Sequence, residues 1–133
     1  MRIIIDTNIV ISGAFFNGLP KTILKSVADE KFDVFISDEI LKEYHKSVNE
    51  MLEKDKYHLN FALFEAFMKS IKMIESKSNV KICRDPDDDK FINCAIDAKA
   101  IYIVSGDKDL LTIGQYEDIE IVTAKEFYDR YLA

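Results

Sequence analysis

Apolar residues along this chain fall into short runs separated by longer stretches with helical spacing. Arg2–Ile5 (RIII) is a β-branched run without polar alternation, the pattern of a strand buried on both faces. Asn17-Gly18-Leu19-Pro20 then punctuates the chain. Pro20 suits the first turn of a helix whose apolar face is Ile23, Leu24, Val27 and Ala28. Asp33–Ile36 (DVFI) predicts a second strand. Ser37 follows as an N-cap, with Asp38 and Glu39 in the first turn, and Ile40, Leu41, Tyr44, Val48, Met51 and Leu52 recur at the helical period. Another helix is predicted from Phe61, Phe64, Phe67, Met68, Ile71 and Ile74, an aromatic stripe best read as core.

Val80–Cys83 (VKIC) predicts a third strand. RDPDDDK interrupts before a helix carrying Phe91, Ile92, Ala95, Ile96 and Ala98. Ile101–Val104 (IYIV) and Ile119–Val122 (IEIV) are a fourth and a fifth strand, and Thr123 to Glu126 fits a capping box opening a last helix. Strands alternating with helices predict an α/β fold with a largely parallel sheet. A length of 133 residues suits a single domain, 1–133, with its own core.

Composition narrows the function only a little. Ile3–Ile5 is too short for the core of a signal peptide and no run approaches a membrane span, so the expected location is cytoplasmic. Cys83 and Cys94 lack CxxC spacing, and His45 and His58 stand alone. That pattern disfavours zinc and predicts two small buried thiols in a reducing compartment. A net charge of -6 weighs against nucleic acid. A cluster of acids built to hold cations lowers the charge just as well.

The positions of the acids are more informative. Ligands of parallel α/β sheets bind outside the carboxyl ends of the strands. Asp6 directly follows the first strand, and Asp107 follows the fourth by a few residues. Glu43 lies in the second turn of the helix after the second strand, and Asp89 in the first turn of the helix after the third. If the strands are parallel, these four acids converge on one edge. Each has a simpler explanation: Asp89 and Asp107 as helix N-caps, Glu43 on a solvated helix face. Asp6 is hardest to explain that way, because a carboxylate against the central strand needs a partner and the local sequence offers no fixed base. Clustered carboxylates repel, a divalent cation relieves the repulsion, and all-oxygen ligation points to Mg²⁺ or Mn²⁺. The chemistry of such a site is metal-dependent hydrolysis of a phosphate ester.

These segments together resemble the PIN-domain nucleases, and more narrowly the PIN-type (VapC-like) toxins of prokaryotic toxin–antitoxin pairs. DTNIVIS at Asp6–Ser12 is similar to the family's opening motif, and SDEILKEY at Ser37–Tyr44 to the segment that supplies Glu43. DPDDDKFINCAIDAKA at Asp85–Ala100 resembles the third motif and selects Asp89; IVSGDKDLL at Ile103–Leu111 resembles the fourth, with Asp107 and an auxiliary acid, Asp109. The IVTAKEF ending at Phe127 is similar as well. The resemblance implies a three-layer α/β/α sandwich around a parallel five-stranded sheet of order 3-2-1-4-5. It implies Mg²⁺- or Mn²⁺-dependent cleavage of single-stranded RNA, homodimers, and inhibition by a cognate antitoxin protein. Thr7, Asn8 and Ser105 would then orient carboxylates and water around the metal or touch substrate. Asp87, Asp88 and Asp89 are consecutive, which leaves the register of the third acid open by one residue. Asp107 ranks ahead of Asp109. Arg84, Lys90 and Lys108 flank the site as candidate phosphate contacts, with solvated surface bases as the equal alternative.

Two other functions compete. A non-catalytic PIN scaffold that binds RNA or protein has no need of all four acids. A phosphoacceptor receiver domain expects paired acids after the first strand, where DTN supplies one.

Overall fold

Ile3, Ile4 and Ile5 have no exposed surface, and the strand they form, β1 (Arg2–Ile5), lies in the interior of the sheet. The computed structural model describes residues 1–54 and 59–133; His58 lies outside the described residues. Helices α1 (Thr7–Phe15) and α2 (Leu19–Ala28) lead to β2 (Asp33–Ile36), and α3 (Asp38–Lys54) and α4 (Ala62–Ser70) lead to β3 (Lys72–Met73). A short 3-10 turn at Pro86–Asp88 precedes α5 (Asp89–Ala98) and β4 (Tyr102–Val104). The chain ends with α6 (Lys108–Ile113), β5 (Gln115–Tyr116), β6 (Ile119–Val122) and α7 (Ala124–Tyr131).

The sheet order is β3-β2-β1-β4-β6-β5, parallel throughout except for β5, which pairs antiparallel with β6. Without that short strand the order is the expected one. The chain first winds from β1 outward to β3, then crosses back to β4 and β6. Right-handed crossovers in opposite directions place their helices on opposite faces of the sheet. Accordingly α1, α2 and α4 pack together, while α5 lies against β1, β2 and β4. The sheet is α/β with helices over it, as the alternation predicts.

Local chemistry accounts for most boundaries. Pro20 sits in the first turn of α2, where its missing N–H costs nothing. Ser37 Oγ accepts from Ile40 N at 3.3 Å at the start of α3. The capping box of α7 is complete: Thr123 accepts from Glu126 N, and Glu126 accepts from Thr123 N. Both cysteines are free, Cys94 buried and Cys83 half-buried; burial pushes each thiol up to about 12.

The third strand corrects the sequence reading. It is Lys72–Met73, inside the span read as helix, and it pairs with Phe35 and Ile36. The helical spacing of the apolar residues runs on to Ile74, but α4 stops at Ser70, whose hydroxyl donates to Phe67 O at 2.8 Å. Ile71 is already extended. The aromatic stripe before it is largely core: Phe67 and Phe64 are buried, and Phe15 packs on Phe61 and Phe64.

Val80–Cys83 is not a strand. Three α5 side chains hold residues 76–83 where a neighbouring strand would be expected to. Asp97 accepts from Ser76 Oγ (3.0 Å), Lys77 N (2.7 Å), Ser78 N (3.0 Å) and Ser78 Oγ (2.6 Å). Asn93 accepts from Val80 N (2.8 Å) and donates to Val80 O (3.3 Å). Asp89 Oδ1 accepts from Ile82 N (3.1 Å) and Cys83 N (2.8 Å). Residues four apart share a helix face, so the three form one polar stripe.

Candidate metal centre

β1 and β4 are neighbours in register, Ile5 opposite Val104, so the residues after them emerge side by side. The pairing extends one step further: Asp6 N donates to Val104 O, and Ser105 N to Val122 O, each at 2.9 Å. Ser105, fully buried, donates its hydroxyl to Asp6 Oδ2 at 2.6 Å and accepts from Asp107 N at 3.0 Å. One serine thus ties the first acid to the loop carrying the second. Asp107 also caps α6, accepting from Asp109 N at 3.2 Å. Its simpler explanation as a cap is correct, and it still lines the cavity.

Glu43 reaches the site because α3 is fastened to the end of β1. The buried Tyr44 hydroxyl donates to Ile5 O, the carbonyl just before Asp6. Glu43, next in sequence, receives the Thr7 hydroxyl on Oε2 and the Lys90 ammonium on Oε1, the latter at 2.6 Å. A cavity of about 260 Å³ is lined by Asp6, Glu43, Asp88 and Asp107, together with Thr7 and Asn8. Lys46, Ser47 and Glu50 of α3 line it too. Sequence reasoning overlooked these three, although their positions three, four and seven residues after Glu43 put them on its helix face.

The third acid of the cluster is Asp88. Oxygens of Asp88, Asp107 and Asp109 lie within 4.8 Å of one another. Asp89 is turned instead to the Ile82 and Cys83 amides. The physical reason is the bend from the 3-10 turn into α5: Asp89 begins the face that clamps residues 76–83, and its predecessor faces the loop after β4. Asp109 is paired with Arg84 through both oxygens: Nε lies 3.0 Å from Oδ1, and Nη2 donates to Oδ2 at 3.5 Å.

Basic side chains pair with Glu43 and Asp109, and the strain of crowded carboxylates falls on Asp6 and Asp88. Burial raises the Asp6 carboxyl, the Ser105 and Thr7 hydrogen bonds oppose that, and the charges of Glu43 and Asp107 raise it further, leaving it above its ordinary value. Asp88 is pushed up to about 8 by burial, by the hydrogen bond it shares with Asp107 and by the charges of Asp107, Asp85 and Asp6. Asp89 goes the other way. Burial raises it, but the Cys83 and Ile82 contacts outweigh burial and bring it below the usual range.

The candidate phosphate contacts divide. Arg84 and Lys108 are exposed. The Lys90 side chain is only 11% exposed and is held by Glu43 and by Asp87, the latter at 3.1 Å, so it does not stand on the surface as a free base.

A mostly parallel α/β sheet with carboxylates from four separate segments at one carboxyl edge defines a domain that gathers oxygen ligands, a donor set suited to a hard divalent cation. Residues 2–109 match the PIN domain family profile, and the chain belongs to that family. PIN domains are generally nucleases that use divalent metals. The chain is 36% identical over 143 aligned positions to the uncharacterized protein MJ1680 of Methanocaldococcus jannaschii, covering 98% of this chain and 92% of that protein. It shares its fold with a chain of VapBC2 from Rickettsia felis, solved bound to a DNA fragment from its promoter. That similarity has a TM-score of 0.61 at 16% identity and covers 92% of this chain and 98% of the other. No helix among the described residues is long and apolar enough to cross a membrane.

Proposed function

We propose that the protein is a Mg²⁺- or Mn²⁺-dependent endoribonuclease that hydrolyses phosphodiester bonds of single-stranded RNA, and that it is the toxin of a toxin–antitoxin pair. The observation that supports this best is the convergence of Asp6, Glu43, Asp88 and Asp107 on one open cavity. The reading assigns the metal to these four, with Asp88 in the place expected for Asp89 and Asp109 at the margin. A bound divalent cation supplies positive charge to a phosphoryl oxygen and acidity to a water. The chain's own residues do the positioning. Ser105 and Thr7 orient Asp6 and Glu43, and Asn8 lines the same cavity. Arg84, Lys108 and Lys46 are the bases left to meet the RNA backbone.

The reading also assigns a VapB-like antitoxin as partner, by analogy with the VapBC2 complex that shares the fold, and a homodimer acting in the cytoplasm. Light scattering at tens of micromolar protein tests the dimer; a particle of 15.3 kDa refutes it. The activity is tested by incubating single-stranded RNA with wild type and Asp6→Asn in Mg²⁺, Mn²⁺ and chelator. The expected result is cleavage by wild type with metal and none by the variant. Cleavage by Asp6→Asn, or equal cleavage in chelator, overturns the proposal.

A further inference from the structure

Lys90 is placed where a lysine has little reason to be. It is the second residue of α5, in the turn where the helix dipole disfavours a cation. Its side chain is almost wholly covered, and a covered charge is costly unless paired. Its partner is Glu43 Oε1 at 2.6 Å, and Thr7 holds the other oxygen of the same carboxylate. Both oxygens of a cavity-lining acid are therefore engaged within the protein. Asp87, largely exposed, is the second acceptor of the ammonium at 3.1 Å and offers it an alternative resting place.

We infer that Lys90 is the resident cation of this site: a positioning residue that neutralises and holds Glu43 while no divalent cation is bound, and competes with such a cation for that carboxylate. The inference rests on the metal-site reading above. The ammonium keeps a repelling set of carboxylates assembled, and a divalent ion displaces it toward Asp87. The consequence is a trade: the lysine strengthens the metal-free fold and weakens metal binding.

The test is Mn²⁺ titration calorimetry on the full chain, with melting curves in chelator, for wild type, Lys90→Met and Lys90→Arg. Lys90→Met removes a positive charge beside the proposed ligand set, so it should melt lower in chelator and bind Mn²⁺ at least about tenfold more tightly. Lys90→Arg, which keeps the charge, should stay near wild type. In a Glu43→Gln background the Lys90→Met effect on affinity should largely vanish, as expected for two groups acting through one contact. Mn²⁺ affinity unchanged or weakened in Lys90→Met, with wild type binding normally, overturns the inference and leaves the metal site standing. Wild type that binds no Mn²⁺ overturns both. Should Lys90→Met be unfolded in chelator, recovery of its melting transition in Mn²⁺ supports the inference, and failure to recover refutes it.

Discussion

Asp88 and Asp89 are adjacent, identical in type and opposite in predicted behaviour. Replacing Asp89 by Ala removes the acceptor of two backbone amides, Ile82 N at 3.1 Å and Cys83 N at 2.8 Å. Hydrogen bonds to a charged group contribute roughly 1.5–3 kcal/mol each when a buried partner is stranded. Here Ile82 is an exposed residue and water can replace part of the loss, so a total of about 2 kcal/mol is expected. For a chain of this length that is roughly 8 °C in melting temperature. Asp88→Asn removes one carboxyl from a crowded pair with Asp107, so in chelator it should melt at or above wild type. Metal reverses the ranking. A divalent ion at about a hundred times its dissociation constant adds ~2.7 kcal/mol to a protein that binds it. Asp89→Ala should keep most of that gain and Asp88→Asn should lose it. The assay is a thermal melt of three proteins, each in chelator and in Mn²⁺. If Asp89→Ala melts like wild type in chelator but no longer responds to Mn²⁺, Asp89 is the ligand and the geometric argument fails.

Three further outcomes follow from the structure. Asp97 is raised by burial but lowered more by Ser78, Lys77 and Ser76, leaving it below its ordinary 3.8. Its contribution is therefore complete above about pH 4 and lost as pH falls through the lower folded value, so Asp97→Asn should flatten the acid limb of a pH–stability curve and leave its neutral and alkaline parts parallel to wild type. Gly13→Ala would set a Cβ 2.6 Å from Pro20 O and 2.9 Å from Leu24 Cδ1, and forcing α1 from α2 should cost about 1–3 kcal/mol by denaturant titration. Neutralising Arg84 and Lys108 together should weaken RNA binding and flatten its salt dependence; an unchanged slope places the RNA path elsewhere.

Features that depend on neighbours in sequence were readable without coordinates. β1, β2 and β6 begin and end where the runs RIII, DVFI and IEIV do, and Ser37 and Thr123 cap the helices they precede. Asp6, Glu43 and Asp107 could be placed at one edge because a parallel sheet sends every strand's carboxyl end the same way. What misled was contact at a distance. VKIC alternates like a strand, but its partners are side chains of a helix, and no periodicity within VKIC distinguishes a carboxylate acceptor from a neighbouring backbone. The same clamp turns Asp89 toward the Ile82 and Cys83 amides, and the sequence left the register between Asp88 and Asp89 open because it depends on the direction in which the helix starts. Tyr44 was legible as an apolar position, whereas the hydroxyl that fastens α3 to Ile5 was not.

The sheet's two borders bear on how copies of this chain can meet. β3 at one border and β5 at the other are each two residues long. The β3 border also carries the Lys72–Asp33 ion pair at 2.8 Å. Borders this short give an extended segment of another molecule almost no ladder to join. Edge-to-edge growth of the sheet, the hazard of an unprotected strand edge, is disfavoured at both ends. An ordered pairing of two copies is then left to surface outside these borders, where side-chain shape rather than backbone repetition selects the partner.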